Sequence, residues 1–360
     1  MKLGIVTFHR AVNYGAVLQT YALSKYLNDN ICKTEVVDYR DNRVDNEYKL
    51  FQKKSSIKRI IKDIIYYPIK YKKNNKFEEF RKLKIKTSEQ KYINANIKDS
   101  EKNYNYFIAG SDQVFNYKLT NFDKNYFLDF LKEDNKKISY AASLGMDKIP
   151  DDKEKEYKRL LSNFSKISIR EEQNKKLIEK LTNKEIEVNI DPTFLLSKNN
   201  WNDLAQKPKE ENYILIFVMQ RNKSIFEFAE KLSKETNCKI IYIANDYKRI
   251  VKGKFKYNLS PEEWLGYFKY AKYVITNSFH GLAFSIIFEK NFYIELQKEP
   301  ATANARMNNI LQKFKLEDRK VENGNYTKDE IDWTSTREEI EKEKIKTYEY
   351  FKFIKEEENE

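Results

Sequence analysis

Cysteine and histidine are scarce in this chain, with two of each among 360 residues. Cys32 and Cys238 stand far apart and form no ligand cluster, which excludes a cysteine-based metal site and indicates reduced thiols in a cytosolic core. Glycine is scarce too, yet four of the eight glycines fall at or near predicted strand ends. Glycine serves where a backbone needs positive φ or where a ligand approaches closely, so this placement favours functional strand ends.

Long apolar runs are missing as well. No stretch approaches the roughly 18 apolar residues that cross a bilayer. The amino-terminal segment reads MKLGIVTFHR, whose apolar run is too short for a signal peptide and is typical of a β-strand. Apolar residues still make up 40% of the chain, enough for the cores of a globular protein. We therefore expect a cytoplasmic protein.

Positive charge is concentrated in residues 49–86. This segment holds 14 basic and three acidic residues and so supplies most of the formal net charge of +13. Its apolar residues recur at helical spacing with lysines between them, a pattern typical of helices that lie peripherally on an anionic inner membrane face. An ordinary surface helix gives the same pattern. We expect no nucleic-acid partner, since the segment matches no nucleic-acid-binding motif.

Short β-branched runs alternate with helical patterns, which predicts βαβ units, parallel sheets and an α/β fold. Predicted strands cover residues 3–8, 34–39, 106–109, 138–143, 166–169, 186–190, 213–218, 239–244, 273–276 and 291–295. Predicted helices cover residues 16–27, 123–131, 153–163 and 172–181. A length of 360 residues favours two domains.

The domain prediction follows these patterns. An N-terminal Rossmann-like domain covers residues 1–196 and carries the basic insertion 49–86, and a C-terminal Rossmann-like domain covers residues 197–334. Residues 335–360 form one charged helix that contains several aromatic residues. Because those rings need burial, we expect this helix to pack back on the N-terminal domain.

His280 is the first candidate for chemistry. It follows the predicted strand 273–276 and stands where an apolar helix begins. In a parallel α/β sheet, ligands bind in the crevice beyond the carboxyl ends of the strands. An imidazole can exchange a proton near neutral pH, so His280 is a candidate acid or base. The structural alternative is a histidine that caps the helix and bonds a backbone carbonyl.

A second candidate site is the turn after the first strand. Asn13 and Gly15 lead into the helix 16–27, and backbone amides at such a turn can hold an anion. His9 and Arg10 could add hydrogen-bond donors. The turn is neither a GxGxxG motif nor a P-loop, so dinucleotide binding and P-loop hydrolysis are unsupported.

Polar side chains also follow the strand 106–109. Ser111, Asp112 and Gln113 come directly after a buried run, and Asp112 could accept or orient a substrate hydroxyl. Residues of this kind also cap helices. Arg170 closes the strand 166–169 and suits a carboxylate or phosphate, unless Glu171 or Asp191 pairs with it. Arg306 is a further anion-binding candidate.

Six short motifs in order give the chain a family resemblance. They read NYGAVLQTYAL (13–23), AGSDQVFN (109–116), SYAASLG (139–145), SIRE (168–171), DPTFLL (191–196) and NSFHG (277–281). Together they resemble the polysaccharide pyruvyl transferase family over roughly residues 3–320. Two positions depart from the commoner family pattern, Asn277 where Asp is frequent and Phe115 where Trp is frequent.

The resemblance implies a GT-B-like architecture, with two Rossmann-type domains whose parallel sheets face a cleft. It also implies transfer of a pyruvyl group from phosphoenolpyruvate to two hydroxyls of a sugar, giving a cyclic ketal. The acceptor would be a cell-surface polysaccharide or its lipid-linked precursor. Phosphoenolpyruvate is the donor substrate, and neither a cofactor nor a metal is expected.

The site prediction combines the residue types with the resemblance. His280 is assigned as general acid or phosphate ligand, and Asp112 as base or hydroxyl-orienting group. The predicted substrate-binding residues are Arg170, Arg306, Asn13, Gly15, Ser111, Gln113, Ser278 and Gly281.

Two other functions fit the sequence. A nucleotide-sugar glycosyltransferase of GT-B type would need an acidic residue for ribose hydroxyls, and Glu289 or Glu295 could provide it. A non-catalytic, membrane-associated factor for glycan synthesis would use residues 49–86 as an anchor. The acceptor sugar and its hydroxyl pair cannot be read from these residues.

Overall fold

Two compact units divide the chain in its computed structural model, which describes residues 1–41, 57–243, 253–297, 302–322 and 325–359. Unit 1 comprises Met1–Tyr67, Glu78–Leu195 and Glu341–Glu360, and unit 2 comprises Pro68–Phe77 and Leu196–Ile340. Each unit is built on its own parallel sheet, so the predicted α/β class with two Rossmann-type sheets is confirmed.

Sheet 1 forms the centre of unit 1. Over the described residues its strands are β1 (Lys2–Val6), β2 (Lys33–Tyr39), β3 (Thr87–Tyr92), β4 (Tyr106–Asp112), β5 (Lys137–Ala142), β6 (Ser168–Ile169) and β7 (Glu187–Val188). Their order across the sheet is β3-β2-β1-β4-β5-β6-β7, and adjacent strands run parallel. The central strands are buried on both faces, which explains their continuous apolar runs.

Sheet 2 forms the centre of unit 2. Its described strands are β8 (Tyr213–Phe217), β9 (Lys239–Ile243), β10 (Lys254–Lys256), β11 (Tyr273–Thr276) and β12 (Asn291–Ile294). The order is β10-β9-β8-β11-β12, again parallel between neighbours. Both sheets therefore begin with the 3-2-1-4-5 order of the Rossmann fold. In such a sheet, the crevice lies where the order reverses, between β1 and β4 in sheet 1 and between β8 and β11 in sheet 2.

Helices connect the strands in both units. The described α-helices are α1 (Tyr14–Asn30), α2 (Ile57–Lys84), α3 (Tyr117–Thr120), α4 (Asp151–Ser162), α5 (Lys175–Thr182), α6 (Lys198–Leu204), α7 (Lys223–Thr236), α8 (Pro261–Lys269), α9 (Phe279–Ile287), α10 (Thr302–Phe314) and α11 (Thr334–Asn359). Helix α8 starts with a capping box in which Ser260 and Glu263 exchange hydrogen bonds.

Three local predictions differ from the structure. Strands β3 and β10 were not predicted, because β3 reads TSEQKY and β10 only KFK, without apolar alternation. The helix predicted over 123–131 is a short 3-10 turn, Lys124–Phe127, that ends at Leu128 with φ of 57°. Here Phe127 packs face to face with Phe115, at 4.7 Å between ring centroids. Tertiary packing of this kind overrides local helix propensity.

Helix α11 packs against sheet 1 through its second half. Tyr350 donates a hydrogen bond to the Ser139 carbonyl at 2.7 Å. Tyr140 of β5 lies 2.9 Å from the Thr347 hydroxyl, and its ring lies 5.2 Å from that of Phe351. These aromatic side chains are buried, so this part of α11 belongs to the core of unit 1.

The basic segment 49–86 is described in part. Residues 42–56 lie outside the described residues, and α2 covers the rest of the segment up to Lys84. Lys76 pairs with Glu263 at 2.5 Å within unit 2, and Arg81 pairs with Glu78 at 2.6 Å within unit 1. Among the residues that the structure describes, no helix has the length and apolar character needed to cross a bilayer.

Gly266 gives a test of how closely α8 packs. A methyl carbon added there would lie 1.7 Å from the Gln206 carbonyl oxygen. Replacing glycine by alanine inside a helix normally stabilises it by about 1 kcal/mol. The close backbone contact reverses that sign, and we expect Gly266→Ala to lower the free energy of unfolding by about 1–3 kcal/mol. Denaturant unfolding followed by circular dichroism measures this change.

The matched control is Asn199→Ala, at an exposed position of α6. It gains helix propensity without a steric conflict, so its stability should be unchanged or slightly higher. A Gly266→Ala protein as stable as the wild type would show that the approach of Gln206 to α8 is misjudged.

Candidate active site

Asp112 ends strand β4 at the point where sheet 1 reverses its order. Its φ is 68°, in the left-handed region that few residues other than glycine adopt. Asp and Asn tolerate this region better than most side chains, and strained residues gather at functional sites. The Thr7 hydroxyl, just beyond β1, donates to the Ser111 carbonyl at 3.0 Å and ties β1 to β4 here. Asp112 is therefore held at the predicted crevice of unit 1.

Arg170 connects two acidic side chains at the same edge of sheet 1. Its Nη1 lies 2.6 Å from Asp191 Oδ2, and its Nη2 lies 3.6 Å from Asp112 Oδ1. The guanidinium is 3% exposed, and Asp191 is fully buried. Burial acts to lower the pKa of Arg170, but Asp191, Asp112 and Glu171 raise it above its ordinary value. Of the partners considered from sequence, Asp191 is the one that binds Arg170 directly.

Further buried polar groups lie beside this pair. The Ser143 hydroxyl, at the end of β5, donates to Glu171 Oε1. Glu171 Oε2 and the Ser111 hydroxyl are buried without a hydrogen-bond partner among the described residues. Buried polar atoms of this kind are rare in native proteins and mark positions where water or a ligand completes the bonding.

Gln113 joins the loops after β4 and β5. Its backbone N–H donates to Asp112 Oδ1 at 2.9 Å, and its side-chain oxygen accepts from Asn116 Nδ2 at 2.9 Å. Gly145 has φ of 61°, and a Cβ there would lie 1.9 Å from Gln113 Oε1. Glycine is required at 145 for both reasons, and the two loops are fixed against each other.

The turn after β1 forms a second polar group in unit 1. His9 is buried between the Thr7 carbonyl and Asp38 Oδ1, each 3.2 Å from a ring nitrogen. Arg40 Nη2 contacts Asp38 at 2.9 Å, and Arg10 Nη1 lies 3.9 Å from it. Burial acts to raise the pKa of Asp38, but hydrogen bonds from His9 and Arg40 hold that pKa well below its usual range.

Asn13 and Gly15 have local roles at this turn. The Asn13 side chain accepts a hydrogen bond from the Ala16 N–H at 3.3 Å and so caps α1, while the residue itself is exposed. Gly15 is buried in the first turn of α1. At the predicted anion site at the start of α1, the backbone amide of Ala16 is therefore already bonded to the Asn13 side chain.

In unit 2, His280 stands at the start of α9, where sheet 2 reverses its order. Ser278 caps the helix by accepting from the Gly281 N–H at 3.4 Å. His280 is half-buried on the first turn of α9, and its ring nitrogen Nε2 is a buried atom. Its ring meets Phe279 edge-on at 5.2 Å, and the Arg306 guanidinium lies 5.7 Å from the Phe279 ring. The structure thus brings Arg306 into the neighbourhood of His280.

Gly281 allows helix α9 to pack closely against strand β11. A Cβ at this position would lie 2.2 Å from the Thr276 hydroxyl oxygen. Thr276 in turn donates to the Phe217 carbonyl at the end of β8. A side chain at 281 would push α9 away from the two strands that position it.

Asn277 fixes the loop that carries His280. Its side chain is fully buried and accepts from the Met219 N–H at 2.7 Å. It also donates to the Gln220 carbonyl at 2.6 Å, and its own carbonyl accepts from Gln297 at 2.8 Å. An aspartate at position 277 could accept a hydrogen bond from this loop but could not donate one to it. The contacts with the loop after β8 therefore explain why asparagine stands where the family pattern often has aspartate.

The sequence-based candidates collect at two edges. Ser111, Asp112, Gln113 and Arg170 lie together at the carboxyl edge of sheet 1, and Ser278, His280, Gly281 and Arg306 lie together at that of sheet 2. The sequence indicated Glu171 and Asp191 as possible partners of Arg170 and Asn277 as a departure from the family pattern, but it did not reveal the hydrogen bonds of Glu171 and Asn277. Within the described ranges, no group of three or more His, Cys, Asp or Glu side chains could hold a metal ion.

The two acidic residues considered for a ribose differ in position, because Glu295 follows β12 at the carboxyl edge of sheet 2 and Glu289 precedes that strand. Glu289 is paired with Lys198 at 2.5 Å and with Arg337 at 2.6 Å. The hydrogen bond from Arg337 is the main cause that lowers the pKa of Glu289 to about 2. Glu295, after β12, accepts from Asn222 at 3.2 Å and from a serine hydroxyl at 2.5 Å. Glu289 is thus engaged in ion pairs on its own unit.

Comparison with known proteins gives a family match over most of the chain. The model of the family described as polysaccharide pyruvyl transferase matches residues 13–294, a range that contains Asp112, Arg170 and His280 but not Arg306. No curated protein matches the chain.

Solved structures resemble the chain weakly. The UDP-GlcNAc 2-epimerase from Methanocaldococcus jannaschii aligns at 12% identity and a TM-score of 0.47, over 97% of this chain and 100% of that one. The heptosyltransferase WaaC of E. coli aligns at 11% identity and a TM-score of 0.41, over 95% of this chain and 100% of that one.

The role of Asn277 can be tested by Asn277→Asp. The substitution keeps the shape but buries a carboxylate against the Gln220 carbonyl, and a buried group left without its bond costs about 1–3 kcal/mol, more if charged. We expect the free energy of unfolding to fall by at least that amount, with a larger loss as pH rises above the carboxyl pKa. Denaturant titrations at several pH values measure both effects.

Asn199→Asp is the matched control, because it makes the same change at an exposed position in the first turn of α6. A negative charge there is neutral or slightly stabilising. Equal stability of the two variants would contradict the role of the Asn277 amide.

Proposed function

Since the chain belongs to the polysaccharide pyruvyl transferase family, we propose that it transfers a pyruvyl group from phosphoenolpyruvate to a sugar and forms a cyclic ketal. The acceptor in this proposal is a cell-surface polysaccharide or its lipid-linked precursor. The observation that carries the proposal is the position of His280, half-buried at the start of α9 where sheet 2 reverses its order. That is where a Rossmann-type sheet offers its crevice.

The proposed reaction needs an acid and a base. The methylene carbon of phosphoenolpyruvate takes up a proton and becomes a methyl group, while the adjacent carbon gains oxocarbenium character. One sugar hydroxyl adds to that carbon, and a second hydroxyl displaces phosphate. Of the two protons that the hydroxyls lose, one balances the methylene protonation and the other leaves with the phosphate. Such transfers by a positioned side chain are typical of general acid–base catalysis.

The roles follow from the surroundings of each residue. His280 is the proposed general acid or phosphate ligand, with Arg306 nearby to attract an anionic donor. Asp112 is the proposed base or orienting group for the hydroxyl. Arg170 is the proposed positioning residue for Asp112, because its guanidinium is buried and bonded to Asp191. The proposal needs no metal or cofactor.

Asp112→Asn and His280→Gln test these roles. Both keep the size of the side chain but remove its proton chemistry, and each should lower the rate about 10²–10⁴-fold. Asp112→Asn is preferable to alanine because asparagine tolerates the positive φ at this position. The assay is ketal formation, followed by mass spectrometry, on surface glycan from a strain that lacks the protein. Rates near wild type in both variants would rule out the assignment.

Two controls separate chemistry from folding. Asp203→Asn makes the Asp112 change at an exposed position of α6 and should leave the rate unchanged. Asp112→Gly relieves the backbone strain, which offsets the loss of the contact with Arg170, so the variant should fold like the wild type while losing the same activity.

Donor binding distinguishes this proposal from a nucleotide-sugar glycosyltransferase. A ligand present at a hundredfold excess over its Kd stabilises the native protein by about 2.7 kcal/mol. We expect phosphoenolpyruvate to raise the melting temperature by several degrees and uridine or guanosine diphosphate to leave it unchanged. Pyruvate and inorganic phosphate are the controls for each half of the donor. A shift with a nucleoside diphosphate alone would favour the glycosyltransferase.

A further inference from the structure

A cavity of about 320 Å³ opens beside the loops that follow β4 and β5 in unit 1. Its lining residues are Tyr117, Lys118, Met146, Lys148, Pro150 and Asp151. We propose that this cavity, the Tyr117 pocket, binds a ring of the acceptor saccharide and presents its hydroxyls towards Asp112. The inference rests on the proposed function and adds to it the location of the acceptor on unit 1.

The lining of the Tyr117 pocket suits a sugar in size and chemistry. Small-molecule sites have volumes of roughly 300–1,000 Å³ and combine apolar walls with a few polar groups. Tyr117, Met146 and Pro150 supply apolar surface for the C–H face of a pyranose ring. At the rim, Lys148 pairs with Asp151 at 3.1 Å and Lys118 Nζ lies 5.8 Å from the centre of the Tyr117 ring, so these charged groups can exchange hydrogen bonds with sugar hydroxyls. A saccharide presents both kinds of surface.

The aromatic wall of the pocket is rigid. Tyr117 and Met146 are partly buried and pack against the core of unit 1. The Tyr117 N–H donates to the Tyr157 hydroxyl at 3.2 Å, and Asn116 caps the short helix that Tyr117 begins. A preorganised platform loses little side-chain entropy when a ligand binds. The site therefore needs no large rearrangement to accept a ring.

The pocket and the proposed base belong to one fixed group of loops. Asp112 ends β4 and Tyr117 begins the short helix α3 that follows it, and Met146 follows Gly145 after β5. The close contact of Gly145 with the Gln113 side chain locks these segments together. A sugar held on Tyr117 would thus keep a constant position relative to Asp112.

The carboxyl groups around Arg170 favour a ligand that donates hydrogen bonds. Three carboxyl groups, those of Asp191, Asp112 and Glu171, act on the single guanidinium of Arg170. Carboxylates that share one cation keep a capacity to accept further hydrogen bonds. Sugar hydroxyls are hydrogen-bond donors and suit it. A saccharide hydroxyl is therefore a suitable partner for Asp112.

The test uses saccharide binding without phosphoenolpyruvate. Methyl glycosides of glucose, galactose, mannose and their N-acetylated amino forms are offered at millimolar concentration, and saturation-transfer difference NMR reports contact. We expect at least one glycoside to give a signal with the wild type and a loss of tenfold or more in Tyr117→Ala. Tyr117→Phe retains the ring and should retain the signal. No signal with the wild type, or an undiminished signal in Tyr117→Ala, would overturn the inference.

A second variant avoids the core. Lys148→Trp fills the pocket from a side chain that is 78% exposed, so folding should be unaffected while the signal is lost. Lys223→Trp is its matched control at another exposed lysine, with 89% of the side chain accessible. A signal that survives Lys148→Trp would also overturn the inference.

The outcome separates the two proposals. A Tyr117-dependent saccharide signal without any effect of phosphoenolpyruvate on melting would defeat the proposed function and keep the pocket as a saccharide site. A rise in melting temperature with phosphoenolpyruvate but no Tyr117-dependent saccharide signal would support the proposed function and overturn the Tyr117 pocket as the acceptor site.

Discussion

Arg170 balances buried acid at the carboxyl edge of sheet 1, and the local architecture of unit 1 depends on that balance. Its contact with Asp191 neutralises a carboxylate that is fully buried and that also accepts hydrogen bonds from the N–H and hydroxyl of Thr193. Its weaker contact with Asp112 restrains a residue whose backbone is already strained. Removing one partner of a buried ion pair leaves an uncompensated charge that costs several kcal/mol. The position of Asp112 is therefore a consequence of electrostatics as much as of the strand that carries it.

The sequence predicted the parts of the fold in which local pattern and burial agree. Strands β1, β4 and β11 are apolar and buried on both faces, so their amino-acid sequences alone indicated buried parallel strands. Strand β3 exposes most of its polar residues at the edge of sheet 1, and nothing in TSEQKY distinguishes it from a loop. Residues 123–131 have a helical pattern, but their aromatic rings pack with Phe115 and Tyr157 and impose turns instead. Contacts between residues distant in the sequence determine the secondary structure of those segments.

The location of the candidate site could be predicted from the sequence, but the hydrogen-bond and ion-pair partners of its residues could not. Parallel topology puts the residues that follow each strand at one edge, which is why Asp112 and His280 could be chosen before the fold was seen. The amide of Asn277 acts on the loop after β8, more than 50 residues earlier in the chain, and no local signal reveals such a bond. The pairing of Arg170 with Asp191 was one of two open alternatives until the geometry of both side chains was known. Positions follow from topology, whereas hydrogen-bond partners follow from packing.

The attachment of α11 to sheet 1 has a consequence for biosynthesis. Most of unit 1 precedes unit 2 in the sequence, yet the core of unit 1 includes Tyr350, Phe351 and Ile354, which are translated after unit 2. Domains fold as units during synthesis, usually in order from the amino terminus. Here the apolar surface of β5 around Tyr140 stays uncovered while the whole of unit 2 is being made. Unit 2 is thus able to complete its core before unit 1, whose core closes only when α11 has been made.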